Sequence, residues 1–421
     1  MASITAAEYP RPSWSVIAAA SVGNALEWFD FVVYGFFATT MAKLFFPTGN
    51  DTISLLLALA SFGVTFFMRP LGAIVLGSYA DRHGRKTAFL LTIRLMMVGT
   101  GLIAVAPSYA TAGLFAPVLV IIGRLVQGFS AGAEFGSATA FLAEQNPERR
   151  GYFASWQFAS QGLTTILATL FGVLLTRTLS VDQINDWGWR IPFLFGLLIG
   201  PIAYYIRRYA DETAEFRSMQ MRNVPSRLTL KRGKLRLLIS FGLVVLCNVG
   251  MYTVLFMPTF ATRQLGLSAS DGFVAGLLTG AIQLVLIPIV GAMTDRYGRL
   301  PSAFLSNLSI LLLIWPLFYW LASVPTFQTL LLVQATLGVL LSVYMGGLPA
   351  LMAELFPTSI RTTGLSVSYA LSAALFGGFA PFINAWLLAV TGSNLAPSYY
   401  LMLAALISLV SLTVTRRFAM K

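Results

Sequence analysis

Ionisable side chains interrupt the long apolar segments of this chain at a few positions where they could do chemistry. Glu27 and Asp30 lie three residues apart in the first such segment and therefore share one face of a helix. Arg69 lies in the second segment, and Arg124 and Glu134 lie in the fourth. Charge is costly in apolar surroundings, so each group must face a partner, a polar cavity or water. We expect proton coupling to involve Asp30, Arg124, Glu27 and Glu134.

Asp30 and Arg124 are the most informative combination. A carboxylate beside a buried arginine stays ionised, whereas desolvation favours the neutral acid once the arginine turns away. Such a pair can load and release a proton when helices move. The alternative is a permanent ion pair that holds two helices together.

Neutral polar side chains within the apolar segments could bind a small polar solute. Gln157 and Gln161 are four residues apart and present two amides on one helix face. Any of these groups could equally hydrogen-bond a neighbouring helix. We expect Arg124 and Gln161 to be the main ligands, because Arg124 offers a cation and Gln161 an amide for hydrogen bonds to a solute. The full set of solute-binding candidates is Arg124, Gln161, Gln157, Asn24, Tyr34, Gln127, Asn248, Tyr252, Tyr344, Tyr369 and Ser372.

The segments that hold these residues are long enough to cross a membrane. The 421 residues are 57% hydrophobic and 10% charged, with a mean hydropathy of +0.76, which excludes an ordinary soluble enzyme. Apolar runs of about 20 residues recur roughly twelve times. The predicted helices lie at about 14–44, 52–79, 86–107, 111–145, 150–177, 189–208, 237–263, 271–293, 301–322, 327–356, 361–391 and 396–416.

The motifs of enzymes and cofactor sites are missing from the sequence. It contains no Walker loop and no catalytic triad, and a single His and a single Cys exclude most metal sites. We therefore predict no enzymatic activity, no cofactor and no metal. The net charge of +12 does not indicate nucleic acid, because the basic residues follow the loops between apolar segments.

The distribution of positive charge predicts the topology. With the N-terminus inside, loops on the cytoplasmic side hold 21 of the 28 Lys and Arg, so both termini are expected in the cytoplasm. Residues 1–13 lack the pattern of a signal peptide. We expect the first apolar segment to be a retained helix.

The two halves of the chain repeat each other. The sequence GSYADRHGRK at 77–86 recurs as GAMTDRYGR at 291–299, after the second and the eighth predicted helix. The only long hydrophilic interval lies between the halves. We predict an N-terminal bundle at 1–206, a basic cytoplasmic linker at 207–236 and a C-terminal bundle at 237–421, with the solute site between the bundles.

The repeated loops predict a gate. Glycine allows helices to approach closely, aspartate can cap the next helix, and arginines can pair with acids on neighbouring helix ends. The alternative is a basic loop that only sets topology. The gating candidates are Gly77, Asp81, Arg82, Gly84, Arg85, Glu144, Gly291, Asp295, Arg296, Gly298, Arg299 and Glu354.

The G-x-x-x-D-R-x-G-R loop resembles the signature of the major facilitator superfamily. Further segments resemble its metabolite:proton symporter branch: GNALEWFDF (23–31), RPLG (69–72), GRLVQGFSAG (123–132), WGWRIPF (187–193) and DETAEF (211–216). Within that branch, SWQFASQ (155–161) and FGGFAP (376–381) are most similar to the citrate and tricarballylate carriers.

The resemblance implies an all-α integral membrane fold with twelve transmembrane helices in two pseudo-symmetric six-helix bundles. It implies a monomeric symporter of the bacterial inner membrane that imports a di- or tricarboxylate with protons by alternating access. Asp30 and Arg124 are similar to the acid and the arginine that sugar porters of the superfamily place on helices 1 and 4. Alternatives are another solute (2-oxoglutarate, shikimate, betaine or proline), coupling to sodium, or a sensor that does not transport.

Overall fold

The computed structural model describes residues 14–83, 85–209 and 233–419. Within these ranges the chain is helical and forms no strand, in agreement with the all-α prediction. Most of the predicted linker at 207–236 lies outside the described residues, and so does Gly84.

Residues 14–209 form a series of helices of very unequal length. They are α1 Trp14–Phe36, α2 Ala38–Phe45, α3 Asp51–His83, α4 Arg85–Ala104, α5 Tyr109–Ala112, α6 Phe115–Ser130, α7 Glu134–Glu144, α8 Arg150–Thr178, α9 Val181–Gln183 and α10 Arg190–Tyr209. Short 3₁₀ turns lie at Ala131–Ala133 and Pro147–Arg149, and a π-helical turn lies at Ile184–Gly188.

Residues 233–419 form a second series of helices. They are α11 Lys234–Gln264, α12 Ala269–Tyr297, α13 Arg299–Ser323, α14 Phe327–Leu355, α15 Arg361–Ser372, α16 Ala380–Thr391 and α17 Ala396–Ala419. A 3₁₀ turn at Thr358–Ile360 precedes α15, and a π-helical turn at Ala373–Gly377 separates α15 from α16.

Local sequence explains several helix ends. The Ser268 hydroxyl accepts a hydrogen bond from the Asp271 N–H, and the Asp271 carboxylate accepts one from the Ser268 N–H, which forms a capping box at the start of α12. Gly298 joins α12 to α13 with a φ of 86°. That conformation is open to glycine and strained for other residues, so the predicted gating residue Gly298 shapes a tight turn.

Eight helical segments in the described part of the chain are long and apolar enough to cross a membrane, and two further apolar helices are shorter. Large apolar side chains also stay exposed on the outer surface, for example Ile74 at 71% and Leu312 at 71%. A soluble protein rarely leaves so many apolar groups in water. Length, hydropathy and this outer surface together fit a lipid environment.

Helices α8 and α12 make the closest contact between the two halves of the chain. A Cβ atom on Gly162 would meet the Gly280 carbonyl, and a Cβ on Gly280 would meet the Gly162 carbonyl. Small residues at such a crossing let two backbones approach closely within a membrane. The polar interior lies beside this crossing.

Candidate functional site

Buried polar side chains from both halves of the chain collect in the interior. Helices α1, α3, α6 and α8 contribute from the first half, and α11 and α15 contribute from the second. The residues at this site that are less than 9% exposed are Asn24, Asp30, Tyr34, Arg69, Arg124, Gln127, Gln157, Gln161, Asn248, Tyr252, Tyr369 and Ser372.

Asp30 is held tightly on the side of the site where α4 and α10 pack on α1. Its side chain is 4% exposed, and the Thr100 hydroxyl donates a hydrogen bond to Oδ2. Oδ1 has no hydrogen-bond partner among the described residues. It lies where a Cβ on Gly196 would stand, so the absence of a side chain there makes room for the carboxylate.

Arg124 reaches Asp30 through two intermediate side chains. Its Nη1 donates to Gln127 Oε1 at 3.0 Å, and Gln127 Nε2 donates to Thr100 Oγ1 at 2.9 Å. Thr100 in turn donates to Asp30. The sequence predicts a direct pair between Asp30 and Arg124. In the structure a chain of hydrogen bonds, here called the relay, joins them instead, because Gln127 and Thr100 lie between the two charges. Sequence reasoning missed Thr100.

The rest of the Arg124 guanidinium meets aromatic rings. Its carbon lies 4.4 Å from the ring centroid of Tyr34, 5.1 Å from that of Phe62 and 5.5 Å from that of Phe31. Cation–π attraction partly compensates for burial. Nε and Nη2 have no hydrogen-bond partner among the described residues, so two donors stay available for an anion.

Arg69 lies in a second aromatic cage. Its guanidinium carbon is 4.3 Å from the Phe66 ring, 4.4 Å from the Trp28 ring and 5.0 Å from the Phe31 ring. Nε and Nη2 have no hydrogen-bond partner among the described residues. The sequence identified Arg69 as an intramembrane charge but gave it no place in the site.

The two glutamine side chains of α8, Gln157 and Gln161, differ in their hydrogen bonding. Gln157 Nε2 donates to Asn24 Oδ1 at 3.2 Å, and Asn24 Nδ2 donates to Ser160 Oγ at 2.6 Å. Asn24 and the Gln157 amide nitrogen therefore hold α1 against α8. Both polar atoms of Gln161 lack a partner among the described residues, which leaves this amide available to a solute.

Several other candidate residues form hydrogen bonds with a neighbouring helix. Tyr344 donates to the Leu243 carbonyl at 2.7 Å, and the Tyr34 hydroxyl pairs with Ser61 at 2.6 Å. Asn248 Nδ2 donates to Ser372 Oγ at 3.1 Å. These contacts join helices.

Tyr252 and Tyr369 keep unpartnered hydroxyls among the described residues. The Tyr369 ring stacks on Phe135 at 3.5 Å and lies edge-on to Trp28 at 6.4 Å between centroids. These hydroxyls bring donors from the second half of the chain to the site.

The described residues omit part of the predicted machinery. The side chains of Glu27 and Glu134 lie outside the described part of the structure, although both residues belong to helices. Gly84 and the side chains of the first repeat loop are also outside it, which covers Gly77, Asp81, Arg82 and Arg85. Their predicted roles in coupling and gating stay predictions.

At one end of the helices, Asp295 caps a helix of the opposite half. Its Oδ1 accepts from the Gly151 N–H at 2.7 Å and its Oδ2 accepts from the Tyr152 N–H at 3.0 Å. These amides belong to the first turn of α8, where a carboxylate satisfies free donors and favours the helix dipole. The sequence predicts that the loop aspartate caps the next helix, whereas Asp295 caps α8 of the opposite half.

Ion pairs surround this cap. Glu354 lies 3.0 Å from Arg299 Nη1 and 3.6 Å from Arg150 Nη1, and Glu144 lies 2.5 Å from Arg361. Both acids were gating candidates; Arg150 and Arg361 were not. The Arg150–Glu354 and Arg361–Glu144 pairs join the two halves of the chain at this end. Two further candidates lie nearby: Gly291 packs against Ser155, and Arg296 is exposed.

The opposite end of the helices is closed mainly by packing. Phe273 of α12 contacts Phe37 at 5.6 Å and Phe36 at 6.2 Å between ring centroids. An exposed pair between Arg263 and Asp51, at 3.7 Å, adds little stability. Both ends therefore have contacts between the halves, and the polar cluster lies between them.

Comparison with known proteins identifies the family. A family model described as "Sugar (and other) transporter" matches residues 16–235 and again 206–420. This chain belongs to that family. The double match agrees with the repeated loops in the sequence.

Curated relatives of this transporter are themselves transporters. It is 40% identical to the citrate-proton symporter of Klebsiella pneumoniae over 395 residues, which cover 92% of this chain and 88% of the relative. It is 34% identical to the proline/betaine transporter of Escherichia coli (strain K12), over 94% of this chain and 82% of the relative. The relatives confirm the predicted resemblance to the citrate carriers and a transporter instead of an enzyme.

Solved structures show the same fold at low sequence identity. The D-xylose-proton symporter superposes with a TM-score of 0.73 at 18% identity, over 94% of this chain and 97% of that one. A major facilitator superfamily proton:xylose symporter, XylE bound to 6-bromo-6-deoxy-D-glucose, gives 0.75 at 15% identity, over 96% and 95%. The transporter therefore has the major facilitator fold and is a multi-pass membrane protein.

Proposed function

We propose that this transporter imports a di- or tricarboxylate, citrate or tricarballylate first among them, together with protons across the bacterial inner membrane. Two citrate-proton symporters, from Klebsiella pneumoniae and Salmonella typhi, are each 40% identical over nearly the whole chain. The observation in the structure that supports this most is the relay from Arg124 to Asp30. It connects a cation suited to a carboxylate with an acid suited to a proton.

The relay suggests how carboxylate binding at Arg124 depends on protonation of Asp30. While Asp30 is ionised, its negative charge stabilises the Arg124 guanidinium through the hydrogen bonds of Thr100 and Gln127. Protonation of Asp30 removes that negative charge and leaves the Arg124 guanidinium uncompensated. A substrate carboxylate then binds Arg124 more strongly, because charge-assisted hydrogen bonds are the strong ones in a buried site. Proton and anion thus load together.

The fold gives this chemistry a route across the membrane. We assign twelve passes in two bundles of six, with α1 and α2 forming one pass, α6 and α7 another, and α15 and α16 a third. The excess of Lys and Arg in the loops places both termini in the cytoplasm. The ion-paired end around Asp295 and Glu354 then faces the cytoplasm and opens as the bundles rock.

Two alternatives keep the same fold. The proline/betaine relatives, at 34% identity, make a zwitterionic solute the main competitor. Two buried arginines and unpartnered donors at the site favour an anion over a zwitterion. Sodium would need a cluster of oxygen ligands, whereas Asp30 already accepts from Thr100 and lies against Gly196. A sensor that does not transport would have no use for breakable contacts at both ends.

Transport assays with the purified protein in liposomes test the proposal. Labelled citrate, tricarballylate, 2-oxoglutarate and betaine are offered under an imposed proton gradient or an imposed sodium gradient. We expect citrate or tricarballylate to accumulate under the proton gradient, to be released by a protonophore and to ignore sodium. Failure of every carboxylate to accumulate, or accumulation driven by sodium alone, would overturn the proposal. Activity in sparsely loaded liposomes would also support a functional monomer.

A further inference from the structure

Arg69 is a buried cation that forms no ion pair with any residue whose side chain the structure describes. Its side chain is 3% exposed, and no described carboxylate lies within ion-pair distance. Three aromatic rings cover it, yet Nε and Nη2 are unpartnered among the described residues. Rings compensate only part of the cost of removing a guanidinium from water. A buried cation of this kind normally pairs with an anion, and the two unpartnered nitrogen atoms of Arg69 are available to one that enters from solution.

Unpartnered donors and acceptors surround Arg69. The Tyr369 ring lies 6.4 Å from the Trp28 ring that covers Arg69, and neither Tyr369 nor Gln161 has a hydrogen bond from its polar side-chain atoms among the described residues. The Tyr252 hydroxyl is unpartnered as well, and its ring contacts Phe66, which covers Arg69, and Phe62, which lies beside Arg124. Buried polar atoms are normally satisfied. So many unsatisfied atoms from α3, α8, α11 and α15 indicate a ligand site.

Arg69 and Arg124 lie beside the same aromatic ring. Both guanidinium groups lie against Phe31, at 5.0 and 5.5 Å from the ring centroid. Each keeps Nε and Nη2 free of partners in the described structure. Two like charges held close together in an apolar interior repel each other, and a ligand with two negative charges relieves that repulsion.

We propose that Arg69 binds a second carboxylate of the substrate while Arg124 binds the first, which makes the pair a selector for di- and tricarboxylates. This inference rests on the proposed function, since it names the residue that recognises the substrate class. Tyr369 and Gln161 complete the second carboxylate site. Tyr369 belongs to α15 and Arg69 to α3, so a polycarboxylate joins the two halves of the chain when it binds. A monocarboxylate or betaine can satisfy only one of the two cations.

Substitution of Arg69 tests the proposal directly. Arg69→Gln removes the charge and keeps a polar side chain, and Arg69→Lys keeps the charge but loses the planar fork. Arg417→Gln is the matched control, because Arg417 is exposed in the last turn of α17. Binding of tricarballylate is measured by calorimetry in detergent, and thermal unfolding of each variant shows that it is folded. We expect Arg69→Gln to weaken binding about 10- to 100-fold, Arg69→Lys to weaken it less, and Arg417→Gln to leave it unchanged.

Esters of the substrate provide a second test on the wild-type protein, which decides the matter if Arg69→Gln does not fold. Each methyl ester of tricarballylate removes one negative charge. A two-cation site predicts that the monomethyl ester binds nearly as well as the triacid, whereas the dimethyl ester loses about 10-fold or more. In a folded Arg69→Gln variant, the loss between mono- and dimethyl ester should disappear.

The outcomes separate this inference from the proposed function. Equal binding of tricarballylate by the wild-type protein and a folded Arg69→Gln variant overturns the role of Arg69 and leaves carboxylate transport intact. Equal binding of mono- and dimethyl esters by the wild-type protein does the same. Absence of any carboxylate binding to the wild-type protein, with betaine bound instead, overturns the proposed function and this inference with it.

Discussion

Single residues set the chemistry of this transporter. Asp30 is a buried acid with one oxygen bonded to Thr100 and the other against Gly196. Arg124 shares the relay but keeps two donors free in the described structure. We propose that proton binding at Asp30 changes the affinity of Arg124 for an anion.

Replacement of Asp30 separates coupling from transport. Asp30→Asn keeps the size of the side chain and removes the exchangeable charge. We expect proton-driven accumulation to disappear, with the internal concentration rising only to the external value, while counterflow exchange persists. Uptake of labelled substrate with and without a proton gradient measures both. Accumulation at the wild-type level would exclude Asp30 from coupling.

Gly196 offers a second test at the same carboxylate. Gly196→Ala would place a methyl group where Asp30 Oδ1 lies, so the carboxylate must move away from its relay position. We expect accumulation to fall about tenfold, which corresponds to a loss of roughly 1.4 kcal/mol at the coupling group. Gly101→Ala is the control, since a Cβ there meets only Leu197 at an ordinary 3.8 Å. Similar activity of the two variants would show that the position of Asp30 does not matter.

Residue types could be predicted from the sequence, but their partners could not. A charge in an apolar segment is conspicuous, so Asp30, Arg69 and Arg124 were identified. Thr100 resembles any other threonine in an apolar helix, and only the packing of α4 against α1 and α6 shows its use. The sequence also cannot tell which polar groups are occupied by neighbours, as with Asn24 and Tyr344.

Contacts between helix ends form the gate that we propose. The N-terminus of α8 is capped by Asp295 from the opposite half, and Glu354 at the end of α14 is shared by Arg150 and Arg299. These contacts are partly exposed, so each is weak and can break in turn. A gate of this kind can hold a closed state without making it permanent.

Glu354→Gln should loosen the gate. Arg150 and Arg299 would lose their shared anion, and the closed state at this end would become less populated. Ser155→Cys, one turn inside the gate on α8, reports opening through its labelling rate in a Cys247→Ser background. We expect labelling to rise about two- to fivefold. Glu148→Gln, which changes an exposed acid in the turn before α8 with no ion pair among the described residues, is the control, and an equal rate in both variants would contradict the role of Glu354.

The helices were predicted well, but their interruptions were not. The sequence predicts continuous helices at 14–44 and 111–145, whereas the chain breaks at Phe37 and at Ala131–Ala133. A π-helical turn at Ala373–Gly377 was also unexpected. There Gly377 and Gly378 let Tyr252 and Phe66 approach the backbone. Such breaks depend on neighbouring helices, which hydropathy does not encode.

The architecture of the whole molecule reflects a repeat in its sequence. The recurrence of the loop at 77–86 and 291–299 predicts two related halves, and the double family match and the fold of the solved relatives agree with it. Contacts between the halves at both ends enclose the polar cluster. The overall fold does not determine the substrate, because this chain is similar both to citrate-proton symporters and to proline/betaine transporters.

The most direct test of carboxylate and proton symport is to watch both move at once. Citrate is added to weakly buffered liposomes that contain the purified protein and no imposed gradient, and external pH is recorded together with citrate uptake. The relay between Asp30 and Arg124 predicts that the medium becomes more alkaline as citrate enters, and that Asp30→Asn abolishes this change. Protein-free liposomes give the baseline. Citrate uptake at the wild-type rate without any change in external pH would contradict proton coupling.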